Sequence, residues 1–171
     1  MNGKIVGGSI IAAAALAGAG LYYMQVYHFY DEVEADIALT GVVSQQPEPI
    51  PHSALEAIDG RSSPIRFRAC FETQLSLPML SETFAIYDDA VPLNAPNWFS
   101  CFNSAEIAAE LQSGSAIAFL GVKDISYGVD RVVAISETGQ GFAWHQLNPC
   151  GEAYFDGDRV PADCPTPPKI D

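Results

Sequence analysis

Four cysteines, Cys70, Cys101, Cys150 and Cys164, carry the chemistry that is easiest to read in this chain. Neighbours are 31, 49 and 14 residues apart, no Cys-x-x-Cys occurs, and His28, His52 and His145 are scattered. Neither zinc-site spacing nor a dithiol redox motif is therefore encoded, and two structural disulfides are the economical account. Four cysteines allow three connectivities. Cys150 and Cys164 bracket a stretch rich in Pro and Gly that would fray unless pinned, which favours Cys70 with Cys101 and Cys150 with Cys164. Closing the shorter loop would contribute about 3 kcal/mol on a chain-entropy argument.

His145 is the side chain that could serve as a general base, with Asp130 and Glu137 as conceivable partners. No G-x-S-x-G, H-E-x-x-H, P-loop or dinucleotide fingerprint accompanies it, and a single His beside Trp144 on a strand reads more simply as structural. No catalytic residue is assigned. Asp156, Asp158 and Asp163 hint at calcium, but the remaining carboxylates of an EF-hand loop are missing, so a plain Asp-Gly turn is the better reading. No metal and no cofactor is expected.

Arg66 and Arg68 alternate with Ile65, Phe67, Ala69 and Phe71, so a strand would place both arginines on one face. They could grip a carboxylate or phosphate, although in so acidic a chain pairing with nearby Asp or Glu is the simpler expectation. Together with Trp98, Phe99, Phe102, Trp144 and His145 they make a candidate ligand or partner surface. The same aromatic residues would equally bury against a sheet.

These groups need elements to hold them. Asn103 and Glu106 satisfy the N-cap and N3 pattern of a helix over residues 103–112, with Ile107, Ala108 and Leu111 as its apolar stripe and Gly114 as its stop. Residues 131–136 and 141–146 flank Glu137-Thr138-Gly139-Gln140, a hairpin signature. Residues 116–122 read as a central strand, with residues 123–129 as an irregular connection, and residues 83–87 as a short strand. A helical turn is expected over residues 53–58, and Asn148-Pro149-Cys150-Gly151 should turn the chain. The fold class that follows is α+β: an N-terminal transmembrane helix, then a small, mainly antiparallel sheet domain with one or two short helices and two disulfides.

Residues 5–26 contain no ionisable group except tyrosine and would span about 33 Å as a helix, the thickness of a hydrocarbon core. Lys4 lies before this run, and Asp31, Glu32, Glu34 and Asp36 follow it, which places the tail in the cytoplasm and the remainder outside. Tyr22, Tyr23, Tyr27, Phe29 and Tyr30 gather where the helix leaves the bilayer, as interfacial aromatic rings do. A cleaved signal peptide ending near Ala19 is the rival, but the apolar run continues well past that point. The expected divisions are a cytoplasmic tail (1–4), a signal anchor (5–27), a stalk with a Pro-rich linker (28–52) and a periplasmic α+β domain (53–171).

The 171 residues include 8 basic and 21 acidic side chains, a net charge of −13. Lys4 is the sole charged residue before Asp31, so the remainder carries seven basic against 21 acidic groups, a net −14. Such a field argues against a nucleic-acid partner and can steer a basic protein. An acidic surface suited to a salty medium would show the same balance.

Met-Asn-Gly-Lys-Ile-Val-Gly-Gly at the start, the aromatic exit Tyr-Tyr-Met-Gln-Val-Tyr-His-Phe-Tyr and the block Ile-Arg-Phe-Arg-Ala-Cys-Phe resemble an uncharacterised family of small single-pass membrane-anchored proteins of Rhodobacter-like alphaproteobacteria, a domain of unknown function. That resemblance implies a Gram-negative inner-membrane setting and brings no activity with it. The expectation is a non-catalytic accessory, scaffold or assembly protein of a larger envelope or respiratory complex, with a protein partner. A periplasmic ligand-binding or sensory module is the alternative, and an enzyme using His145 a more distant one.

Overall fold

A computed structural model describes residues 2–168. Helix α1 (Gly3–Tyr23) continues into a π-helical turn (Met24–His28), and none of its residues is buried. By length and composition this helix can cross a membrane. At 21 residues it measures about 31 Å.

Six strands form one antiparallel sheet: β1 (Asp31–Glu32), β4 (Ser53–Asp59), β5 (Arg68–Glu72), β6 (Ala116–Ser126), β7 (Val129–Ser136) and β8 (Gln140–Leu147), in the order β1-β4-β5-β8-β7-β6. A second sheet pairs β2 (Ala38–Thr40) with β3 (Pro47–Pro49). The helices are α2 (Leu77–Thr83), α3 (Ser104–Ser113) and α4 (Pro149–Asp156). This is the expected α+β class, with both disulfides paired as favoured, Cys70 to Cys101 and Cys150 to Cys164.

Period-two alternation divides the core between the two sheet faces. Ala57, Phe67, Ala69, Phe71, Val133, Ile135 and Ala143 pack on one face against Leu39 of the small sheet, the flanking Ile37 and Ile50, and Leu80 from α2. Ile58, Cys70, Val132, Ala134, Phe142 and Trp144 pack on the other against Ile107 of α3 and Phe99 and Phe102 of the segment before it. The Cys70–Cys101 bridge staples that segment to β5.

Several local expectations are corrected. Residues 53–58 form β4 rather than a helical turn, because pairing with β1 and β5 outweighs the helix preference of Ala, Leu and Glu. Residues 28–52, expected as stalk and linker, contain β1, β2 and β3, and Ile37, Leu39 and Ile50 enter the core. Pro47 and Pro49 are tolerated because β3 is an edge strand. The strand at 116–122 runs on to Ser126 and lies at the edge of the sheet rather than its centre. Residues 83–87 cover that edge: Leu120 N–H donates to Ala85 O (2.8 Å), Tyr87 N–H to Ala118 O (2.9 Å), and Ala85 N–H reaches Thr40 O of β2 (2.8 Å). An apolar edge strand is thereby shielded, and the two sheets are joined. Finally, Asn148 does not merely turn the chain but caps α4.

Candidate partner-binding groove

The sequence-selected residues do not converge on one open site. Phe99, Phe102 and Trp144 are packed core. Arg68 starts β5 on their side of the sheet, its guanidinium 5.8 Å from the Phe102 ring centroid, and is itself buried. Among the described residues it pairs with no carboxylate within ion-pair distance. Instead Nε donates to Leu93 O (3.0 Å), Nη1 to Ile65 O and Phe67 O (2.8 and 2.6 Å), and Nη2 to Asn94 O (3.1 Å). The expectation of an Asp or Glu partner is corrected accordingly: carbonyl dipoles from two distant segments hold this charge. Burial pushes its pKa down to about 10, opposed by Tyr30 and Asp59. Arg66 precedes the strand, with Phe29 and Tyr30 beneath its guanidinium at 5.6 and 5.4 Å.

His145 sits on the opposite face of β8, stacked on Phe67 at 4.7 Å between centroids. Its Nδ1 bonds to Pro64 O (2.7 Å), and a carbonyl only accepts, so Nδ1 carries the proton. Nε2 then accepts from Arg131 Nε (3.0 Å). Both ring nitrogens are thus engaged, Nδ1 as donor and Nε2 as acceptor. Burial, the largest influence, lowers the imidazole pKa to about 4. Asp130, one residue along β7 from the Arg131 that pairs with His145, points to the other face, and Glu137 lies beyond the far end of β7. Neither Asp130 nor Glu137 therefore orients His145 as a base.

A concavity of about 830 Å³ lies elsewhere, between residues 86–93 and the C-terminal helix with its disulfide. Gln146 builds one wall. Its Nε2 donates to Asp89 O (2.9 Å), while its Oε1 accepts from Val91 N–H (2.9 Å) and from the indole of Trp144 (3.0 Å). Asp130 builds the base: Oδ1 accepts from Asp124 N–H (2.9 Å) and Asn148 Nδ2 (2.9 Å), and Oδ2 from the Tyr87 hydroxyl (3.2 Å). Burial and the Asp130 charge raise the Tyr87 pKa, so the phenol keeps its proton. Asn148 Oδ1 accepts from Cys150 N–H and Gly151 N–H (both 3.1 Å), fixing the start of α4. There the helix meets the β6–β7 turn so closely that a Cβ on Gly128 or Gly151 would overlap the other's backbone.

Ile65, Leu93, Leu147 and Pro149 line the groove, and Ile86 and Val91 stand on it 51% and 59% exposed. Asp88, Asp89, Glu152 and Asp163 are exposed around them, with Lys123 as the basic side chain among the lining residues. Apolar side chains within an acidic rim can hold a segment that is apolar and positively charged, by burial and by steering respectively. Sequence reasoning missed this site because its walls come from three separated stretches. The Asn148-Pro149 pair, an N-cap followed by Pro at N1, was the available signal for the wall supplied by α4.

Fold and site thus define a small disulfide-stapled α+β domain that follows an exposed apolar helix. Residues 37–165 match a family of unknown function, DUF6446, and the chain belongs to that family. The match opens at Ile37, the first fully buried side chain of the domain. No curated protein and no solved structure matches the chain.

Proposed function

We propose that the protein is a non-catalytic accessory or assembly factor, held in the inner membrane by α1 with its N-terminus in the cytoplasm, and that it engages a larger envelope or respiratory complex from the periplasm. The orientation is motivated by Lys4 on one side of the apolar run and Asp31, Glu32 and Glu34 on the other. Two disulfides fit an oxidising compartment. The observation that carries the reading is the groove itself, where exposed Ile86 and Val91 sit among carboxylates on a domain of net charge −14. A basic, partly apolar segment of the partner is the natural occupant.

Extraction of the full-length protein in mild detergent, followed by affinity purification, tests this proposal. A specific partner is expected with the wild type, retained at low salt, and recovered roughly ten-fold less with D88K/D89K, which corresponds to about 1.4 kcal/mol. A protein that purifies alone under several gentle conditions, or a partner equally recovered by the charge-reversed variant, would defeat the reading.

A further inference from the structure

The exit of α1 is joined to the domain by stacked rings. Tyr23 and Tyr27 lie 5.7 Å apart between centroids, Tyr27 and Trp98 6.3 Å, and the Tyr23–Tyr27 and Tyr27–Trp98 pairs are close to parallel. Tyr30 meets Trp98 edge-on at 6.3 Å. Trp98 belongs to the segment stapled by Cys101 and anchored through Leu93 and Asn94 on Arg68, so its position is fixed by the domain and not by the helix. Two parts of the chain, about 70 residues apart in sequence, therefore place aromatic rings together at one level. Arg66 joins them, its guanidinium over Phe29 and Tyr30.

We propose that the Trp98 segment is a second contact with the bilayer, in which Trp98 enters the headgroup layer beside Tyr27 and Arg66 meets lipid phosphate. The inference rests on the membrane-anchor part of the proposed function and adds to it a fixed seating of the domain. Tyr23 ends the apolar helix, and Tyr27, one turn further, is at the height where interfacial rings reside, so a ring stacked on Tyr27 shares that height. The lipid is a zwitterionic one. Asp31 is paired with Arg61 at 2.9 Å, but Glu32 and Glu34 close after the exit would repel an anionic surface, whereas Arg66 supplies a donor for the phosphate that every phospholipid carries. With β1 next to the exit, the sheet order puts the β6 edge and neighbouring Ile86 five strands away, about 24 Å across the sheet. The seating would thus present this end of the groove away from the exit.

Fluorescence of the full-length protein reconstituted in vesicles of brominated phosphatidylcholine tests the contact. Trp144, fully buried in the core, serves as an internal reference. Emission from Trp98 is expected to fall roughly two-fold with bromine near the headgroups, and less with bromine deep in the chains, as suits an interfacial indole. The variant W98F, which keeps a ring for stacking, should show no such loss. A wild-type emission that bromine leaves undiminished, as in W98F, in a protein that resists alkaline carbonate extraction, would overturn the seating while leaving the anchor intact. Quenching that requires anionic lipid would overturn the zwitterionic assignment. Release of the protein by carbonate would overturn both the anchor and the seating.

Discussion

Replacing Arg68 by alanine is expected to lower the unfolding free energy by about 4 kcal/mol, as for other buried charge networks that lose a partner. Four carbonyl oxygens, of Ile65, Phe67, Leu93 and Asn94, lose their donor at once. The void beside Phe102 adds to the cost. Lysine in its place retains the charge but cannot present the planar fork that reaches two segments together, so R68K should recover only part of the loss. Urea unfolding of the full-length protein in detergent, in a W98F background so that Trp144 alone emits, reads both variants. Because Leu93 and Asn94 lead into the Trp98 segment, R68A should also loosen that segment before the sheet unfolds. A loss under about 1 kcal/mol would show that water replaces the guanidinium without penalty.

The second large effect is a dependence on pH. His145 has a pKa of about 4 in the folded protein against 6.5 for an unperturbed imidazole. Between those values the unfolded chain binds the proton more readily, so stability rises with pH across the window and falls as the solution is acidified. The full shift corresponds to about 3 kcal/mol, lost progressively from pH 6.5 down to about 4. Asp59 acts in the opposite sense: burial raises its pKa, so its protonation favours the fold towards the acid end. The His145 contribution is consequently clearest between pH 6.5 and 5. A glutamine at 145 offers a neutral donor and acceptor without titrating, and H145Q should flatten this part of the stability profile. An unchanged slope in H145Q would place the titrating group elsewhere.

What could be read from the sequence follows from how local each signal is. Helix α3 was legible end to end because its signals lie within a dozen residues: Asn103 accepts from Ala105 and Glu106 N–H groups, and Gly114 adopts φ +78 at the stop. The β7–β8 hairpin and the disulfide pairing were legible for the same reason, since turn chemistry and loop closure act at short range. Strand β4 was not. Its Ser-Ala-Leu-Glu-Ala-Ile-Asp sequence favours a helix until β1 and β5 pair with it. Pro47 and Pro49 likewise suggested a linker, because nothing local reveals that β3 is an edge strand against Ala38 and Thr40. Arg68 was read with Arg66 as a strand-face pair seeking Asp or Glu, because part of its carbonyl cradle comes from Leu93 and Asn94, 25 and 26 positions away. The groove depends on still longer range, where residues 86–93 meet Gln146 and α4. Helices α2 and α4 did leave local marks, Ser76 before Pro78 and Asn148 before Pro149, each a cap followed by Pro in the first turn.

Every functional reading offered above requires α1 to stay in the bilayer with the domain outside the cytoplasm. Protease treatment of spheroplasts expressing the full-length chain with a C-terminal tag tests this most directly. The account predicts that external protease removes the tag while an N-terminal fragment stays in the carbonate-washed membrane. A tag that survives until the cells are lysed, or a soluble chain beginning near Gly20, would contradict it.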